Sequence, residues 1–93
     1  MREKTVEQKL ALAVKQRGGL PLKFTSPSYA GVPDRLILLP DGHSAFIEVK
    51  APGQHPRPLQ QRRIHQLQAL GQRVYTISHP NQIRSVLDEI QAS

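Results

Sequence analysis

Cysteine and tryptophan are absent from this 93-residue sequence. The lack of cysteine excludes disulfide bonds, thiolate zinc sites and a cysteine nucleophile. No apolar run is long enough to span a bilayer, and the polar N-terminal stretch "MREKTVEQK" does not resemble a signal peptide. The apolar content of 38% is typical of a folded domain rather than a disordered chain. We therefore expect one cytoplasmic domain over residues 1–93, with a small core.

Acidic residues are missing from a long central stretch, residues 49–87. The same stretch contains three histidines and six basic residues, which are Lys50, Arg57, Arg62, Arg63, Arg73 and Arg84. A basic field of this kind attracts polyanions, and the formal net charge of the chain is +6. Nucleic acid is favoured over an anionic membrane, because no helix combines a large apolar face with a lysine-rich face. A solvated basic surface without a ligand is the plainer alternative.

The hydrophobic pattern predicts the element order α-β-β-β-α-β-α, an α/β fold. The apolar residues Val6, Leu10 and Val14 recur at helical spacing, and a glycine pair ends this first helix. Strands are predicted at residues 20–25, 34–39, 44–50 and 74–78. A second helix is lined by Leu59, Ile64, Leu67 and Leu70, and a last helix begins at Pro80 with Ile83, Val86, Leu87 and Ile90 on one face.

A tight turn at Pro40-Asp41-Gly42 joins the second and third predicted strands. Proline suits the first central position of a type I turn, and glycine suits a left-handed residue after it, which is typical of a three-residue hairpin loop. This loop places Leu39 opposite His43 and, further along both strands, Asp34 opposite Glu48. A two-residue loop would shift the register by one residue and separate the two carboxylates.

In the predicted register, Asp34, Glu48 and Lys50 project from the same face of the hairpin. Apolar residues occupy both faces, so we expect the two strands to lie centrally in the sheet and to be covered on both sides. Two adjacent carboxylates repel each other and are costly to desolvate, and a divalent cation such as magnesium or manganese would relieve that cost. The alternative is a structural ion network in which Lys50 pairs with Glu48 or Asp34 and Arg35 lies at its rim.

The motif Pro33-Asp34, followed after the hairpin by Glu48-Val49-Lys50, resembles the PD-(D/E)xK nuclease signature. The fuller string is similar to the virus-type replication-repair nuclease (VRR-Nuc) branch of that superfamily. The matching segments are "VEQKLALAVKQRGG", "KFTSPSYAGVPDRLILLP", "FIEVKAPG" and "LQQRRIHQLQALGQRVYTI". The resemblance implies a restriction-endonuclease-like αβββαβ core, in which helices flank a mixed central sheet. It also implies a stand-alone bacterial or phage member, active in the bacterial or phage-infected host cell.

The resemblance further implies the roles of individual residues. Asp34 and Glu48 would bind Mg²⁺ or Mn²⁺ directly, with the backbone carbonyl of Val49 as a further ligand. Lys50 would orient or activate the attacking water and stabilise developing charge.

Two helical residues would complete the catalytic set by the same resemblance. Glu7 would contact the metal site from the first helix, through water, and Gln60 would complete the site from the second helix. The spacing of residues alone does not separate Glu7 from Glu3 or Gln60 from Gln61. Each could instead be an ordinary polar residue of a helix.

The predicted function is a metal-dependent DNA endonuclease that hydrolyses phosphodiester bonds, with no membrane partner and no small-molecule substrate. Candidate phosphate contacts are Lys23, Arg35, Arg57, Arg62 and Arg63, of which Arg57 and Lys23 are favoured. The short chain and the resemblance together predict a homodimer that prefers branched DNA such as four-way junctions. The alternatives are a catalytically inactive nucleic-acid-binding module and a small regulatory protein with a structural ion network.

Overall fold

The computed structural model describes all 93 residues and has the predicted element order. The helices are α1 (Glu3–Gln16), α2 (Pro58–Ala69) and α3 (Ile83–Gln91). The strands are β1 (Leu20–Lys23), β2 (Arg35–Leu38), β3 (Ser44–Val49) and β4 (Val74–Ile77). No helix is both long enough and apolar enough to cross a membrane.

One four-stranded sheet organises the chain, in the order β1-β2-β3-β4. The first three strands are antiparallel, and β4 lies parallel to β3 after the crossover through α2. The sheet is therefore mixed, as predicted, and β2 and β3 are its central strands. Proline at position 21 is tolerated because β1 is an edge strand.

The hairpin register is confirmed, although the turn type is not. Leu38 pairs with Ser44 and Leu36 with Phe46, and the Leu39 amide donates a hydrogen bond to the His43 carbonyl. However, Asp41 as well as Gly42 adopts a positive φ, at 66° and 78°. A type I turn requires a negative φ at Asp41, so that prediction was wrong. An aspartate tolerates the left-handed conformation, and the loop length that sets the register is unchanged.

The main core lies on one face of the sheet, between the strands and helices α1 and α3. The residues that pack there are fully or almost fully buried, among them Val6, Leu10, Val14, Ile37, Ile47, Val49, Ile77, Leu87 and Ile90. Close approach of α1 to the sheet depends on Gly19, because an added β-carbon there would lie 2.3 Å from the Leu38 carbonyl oxygen. The last helix starts three residues later than predicted, since Pro80–Gln82 form a 3-10 turn before α3.

The opposite face of the sheet is incompletely covered, which corrects the prediction that both faces are buried. Leu36, Leu38 and Phe46 are half-buried there, and Leu20 and Leu22 of β1 are 56% and 41% exposed. Helix α2 lies across the β4 side of this face and covers only part of it.

Helix α2 itself buries little apolar surface. Its predicted lining residue Leu59 is 39% exposed, and Leu70, which caps its C-terminal end, is 76% exposed. The one buried residue of α2 is polar, Gln60. The other two predicted lining residues, Ile64 and Leu67, are half-buried, so the helix covers part of this face with apolar side chains and also places an amide at the sheet.

Candidate active site

The end of the β2–β3 hairpin brings together the three residues that the signature predicts. Arg35 pairs with Ile47, so the next opposed positions of the register are Asp34 and Glu48. The Val49 amide donates a hydrogen bond of 3.1 Å to Asp34 Oδ1, which joins the two strands at this end. Lys50 Nζ lies 3.2 Å from Glu48 Oε2, as expected for side chains on the same face.

Glu48 is the most enclosed charged residue of the site. It is 3% exposed, and its Oε2 atom accepts a hydrogen bond from Gln60 Nε2 at 3.0 Å and forms an ion pair with Lys50. Its other oxygen, Oε1, is buried and has no hydrogen-bond partner in the protein. A buried, unpartnered carboxylate oxygen is costly, because its lost hydration is not replaced. The atom therefore calls for a positively charged or hydrogen-bonding ligand.

The second carboxylate, Asp34, is electrostatically strained. Burial and, to a lesser extent, the charge of Glu48 raise the pKa of Asp34 from its ordinary value of 3.8 to about 6. The hydrogen bond from the Val49 amide acts in the opposite direction but does not cancel these effects. The ionised form of Asp34 is therefore disfavoured in the folded protein.

Gln60 is the glutamine that reaches the site. It is 8% exposed, donates from Nε2 to Glu48 and accepts a hydrogen bond from the Arg57 backbone amide at 2.8 Å. The second contact caps the N-terminus of α2 and fixes the amide orientation. Gln61 is exposed and binds the Pro56 carbonyl instead.

Glu7 does not contact Asp34 or Glu48 directly. Its Oε1 atom forms an ion pair with Arg35 on the α1 side of the sheet and lies 3.9 Å from Lys23 Nζ. Its charge still raises the pKa of Asp34, more than that of Glu3 does, although less than that of Glu48. Of the two glutamates that the sequence left open, Glu7 is therefore the one that acts more strongly on Asp34.

Arg35 is poorly placed for the predicted phosphate contact. Its side chain is 10% exposed and donates to the Pro21 carbonyl at 2.7 Å as well as to Glu7. It projects from the face opposite Asp34, because neighbouring residues of a strand alternate. These contacts join α1, β1 and β2 behind the site, so the geometry gives Arg35 a structural position rather than a DNA-facing one.

The remaining predicted phosphate-binding residues differ in solvent exposure and in the contacts of their side chains. Arg57 and Arg62 are exposed, and Lys23 is 77% exposed on the α1 side. Arg63, in contrast, stacks on the ring of Tyr29, with its guanidinium carbon 3.7 Å from the ring centroid. Tyr29 was not among the predicted site residues. Its position in the "SPSYAGVPDR" segment and the arginine pair on α2 were the available signals.

The site fits a divalent cation. Its donors are hard carboxylate oxygens, one of which is buried without a partner, and the two carboxylates repel each other in its absence. No group of three or more histidine or acidic side chains converges anywhere in the chain. A cation here would therefore take two side-chain ligands, Asp34 and Glu48, and complete its coordination with backbone oxygen and water.

Comparisons with known proteins identify the family and the fold. No family model matches the sequence. A protein of Acyrthosiphon pisum secondary endosymbiont phage 1, named "Putative nuclease p44", is 46% identical over 77 residues, which is 83% of each chain. A solved VRR-Nuc domain superposes with a TM-score of 0.86 at 26% identity, and the match covers 92% of this chain and 94% of that one. The signature residues thus sit on a fold shared with that domain, and the chain belongs to the VRR-Nuc family of nuclease domains.

Proposed function

We propose that this protein is an endonuclease that hydrolyses DNA phosphodiester bonds with the help of Mg²⁺ or Mn²⁺. The observation that carries the proposal is a pair of neighbouring carboxylates, Asp34 and Glu48. The charge of Glu48 raises the pKa of Asp34, and Glu48 Oε1 is buried without a hydrogen-bond partner. The similarity to a phage protein named as a nuclease supports the same activity.

Asp34 and Glu48 would hold the cation, with the Val49 backbone carbonyl as a third protein ligand. A cation bound there supplies positive charge at the scissile phosphate and lowers the pKa of a water molecule. The protein's own part is to bring both carboxylates to one point, which the hairpin register achieves.

Lys50 would act on the attacking water and on the charge that develops on phosphate. Its ammonium group is held beside Glu48 and is 15% exposed, so its charge is weakly screened. Gln60 would orient Glu48 from α2, and Glu7 would act from α1 through water. No covalent nucleophile is needed, in keeping with a chain that lacks cysteine.

DNA would approach the side of the sheet that carries α2. Arg57 and Arg62 are exposed there and would contact phosphates, whereas Lys23 would reach the DNA from the β1 edge. Because residues 49–87 contain no acidic residue, α2 itself carries no charge that repels DNA.

Two alternatives explain less of the site. A structural ion network would leave no buried carboxylate oxygen unpartnered, yet Glu48 Oε1 has no partner. An inactive DNA-binding module gains nothing from two carboxylates facing phosphate, because they repel it.

We further propose that the endonuclease is a homodimer that acts on branched DNA. Leu20 and Leu22 expose apolar surface on the edge strand β1, next to the half-buried Leu36 and Leu38. Helix α3 is a poorer candidate for the contact, since Ile83, Leu87 and Ile90 are buried in the core. A two-fold contact through β1 would place two sites on one DNA molecule, as cutting two strands of a junction requires.

Cleavage assays on supercoiled, linear and four-way-junction DNA test the activity. We expect products with Mg²⁺ or Mn²⁺ and none after chelation, with faster cleavage of the junction than of linear duplex. Hydrolysis that survives thorough chelation would refute metal dependence, and equal rates on all substrates would refute branch selectivity.

Light scattering of the eluting protein tests the dimer. We expect a dimer mass for the wild type and for Leu70→Lys, and a monomer mass for Leu22→Lys. Both leucines are exposed, so the two variants carry the same change at different places. A monomeric wild type that nicks only one strand of a junction would exclude the homodimer hypothesis and leave the nuclease proposal in place.

A further inference from the structure

An exposed aromatic ring lies in the loop that leads to Asp34 and takes no part in the proposed metal site. Tyr29 lies in the loop between β1 and β2, and 46% of it is exposed. The guanidinium group of Arg63 covers one face of its ring at 3.7 Å from the centroid. The exposed part of the ring offers a surface on which another planar group can stack.

Hydrogen bonds hold this pair in place despite its exposure. Arg63 donates from Nε to the Ala30 carbonyl at 2.7 Å and from Nη1 to Gln66 Oε1 at 3.0 Å. Gln66 Nε2 in turn donates to the Tyr29 hydroxyl at 3.1 Å. The ring and the cation are therefore fixed before any ligand binds, which lowers the entropic cost of stacking.

The loop is also pressed against α2. A β-carbon added at Gly31 would lie 2.8 Å from Leu59 Cγ, and the φ of this glycine is +86°. The close packing keeps Tyr29 at a set position relative to the helix.

The pair is close to the proposed catalytic centre. Arg63 follows Gln60 by three residues, or about one turn and 5 Å along α2. Gln60 binds Glu48, and Tyr29 precedes Asp34 by five residues of the same loop. A base stacked on Tyr29 would thus belong to a nucleotide near the one whose phosphate is cut.

We propose that Tyr29 and Arg63 form a stacking site for an unpaired DNA base. Aromatic rings flanked by cations bind the bases of single strands by stacking, because every base has a π-face and positive charge attracts the phosphates. Bases inside an intact duplex are already stacked on their neighbours, so they gain no stacking energy from the tyrosine ring. The site would therefore select DNA with unpaired bases, such as a branch point or a flap. This proposal rests on the proposed nuclease function.

The plain alternative is that Tyr29 only fastens the loop to α2. Binding assays in chelator, where DNA stays intact, separate the two roles. For Tyr29→Leu we expect about a tenfold loss of affinity for a labelled single-stranded oligonucleotide and less than about a twofold change for duplex. Tyr29→Phe keeps the ring and loses the hydroxyl contact to Gln66, so it should bind single strands like the wild type.

Tyrosine emission gives a second readout that leaves Tyr29 intact. The chain has two tyrosines and no tryptophan, so Tyr75→Phe makes Tyr29 the sole tyrosine emitter. A base stacked on the ring quenches its emission, and we expect oligothymidine to quench it strongly and duplex to quench it weakly.

The proposal is overturned by either of two results. One is equal loss of single-strand and duplex affinity in Tyr29→Leu, and the other is unquenched Tyr29 emission in a saturated single-strand complex. Metal-dependent cleavage in the same preparation would then show that the stacking site is wrong while the nuclease function stands. Absence of cleavage on every DNA would instead count against the proposed function.

Discussion

The amide nitrogen of Gln60 lies 3.0 Å from Glu48 Oε2, and this bond ties the second helix to the central strand of the sheet. The same side chain accepts the Arg57 amide at the start of the helix. One residue thus links the position of α2 to the orientation of a proposed metal ligand.

Replacing Gln60 by leucine should slow cleavage by about 10- to 100-fold, because Glu48 loses the partner that orients it. The rate of junction cleavage in Mg²⁺ measures this. Gln61→Leu is the matched control, since Gln61 is exposed and binds only the Pro56 carbonyl. Equal rates for the two variants would contradict the assigned role of Gln60.

Replacing Lys50 by alanine should lower the cleavage rate by about 100- to 1,000-fold, because one preorganised charge near the phosphate is lost. DNA affinity, measured by anisotropy in chelator, should change little, since Lys50 is one of 13 lysines and arginines. Lys15→Ala, at the exposed end of α1, serves as the control for losing a lysine. Near-normal cutting by Lys50→Ala would show that the lysine has been assigned wrongly.

Protonation of Asp34 should make folding stability depend on pH. Burial and the charge of Glu48 raise the pKa of Asp34 to about 6, so the folded state binds this proton more tightly than the unfolded state does. The stabilisation is fully present below pH 3.8 and is lost as the pH rises through about 6. In chelator at pH 8, Asp34→Asn should therefore be more stable than the wild type, by about 1–2 kcal/mol after allowance for solvent screening.

Thermal unfolding from pH 4 to pH 8 measures this difference. The advantage of Asp34→Asn should shrink towards pH 4, where the wild-type carboxyl is itself neutral. Asp41→Asn, in the exposed hairpin loop, should show no such trend. A difference that stays constant with pH would contradict the electrostatic account.

DNA affinity should fall steeply with salt, because the basic stretch releases counterions on binding. Arg62→Gln, on the exposed side of α2, should reduce the slope of log affinity against log salt by about one. Arg84→Gln is the control, since Arg84 lies on the α1–α3 side of the protein. The prediction fails if both variants change the slope equally or if the wild-type slope is flat.

The sequence predicted the centre of the site well because it depends on local rules. The loop length of the hairpin and the alternation of strand side chains were enough to place Asp34, Glu48 and Lys50 on one face. The register survived even though Asp41 adopts an unexpected left-handed conformation, since register follows loop length more than turn type.

The residues that reach the site from elsewhere were harder to predict. Neighbouring glutamines in the first turn of a helix differ by 100° of rotation, and only the packing of α2 on the sheet selects Gln60 over Gln61. The ion pair of Arg35 with Glu7 joins residues 28 positions apart, and no local pattern encodes it. Tyr29 was missed because a single tyrosine in a loop has no periodicity to signal its partner Arg63.

Apolar spacing predicted only part of the buried face of helix α2, where Ile64 and Leu67 are half-buried. Leu59 and Leu70 fit a helical stripe, but the helix lies across one side of a half-covered face and leaves both exposed. Coverage of a sheet face depends on how the helices divide between the two faces, which the sequence pattern does not specify.

The most direct test of the account compares Glu48→Gln with Glu89→Gln in one assay of junction cleavage and metal-induced thermal stabilisation. Both variants replace a glutamate by its neutral isostere, but Glu48 is buried at the site and Glu89 is exposed on α3. We predict that Glu89→Gln cuts DNA and gains stability with Mg²⁺ or Mn²⁺ like the wild type, whereas Glu48→Gln does neither. Cleavage by Glu48→Gln at a near-wild-type rate would contradict the proposal that the Asp34–Glu48 pair binds the metal that drives hydrolysis.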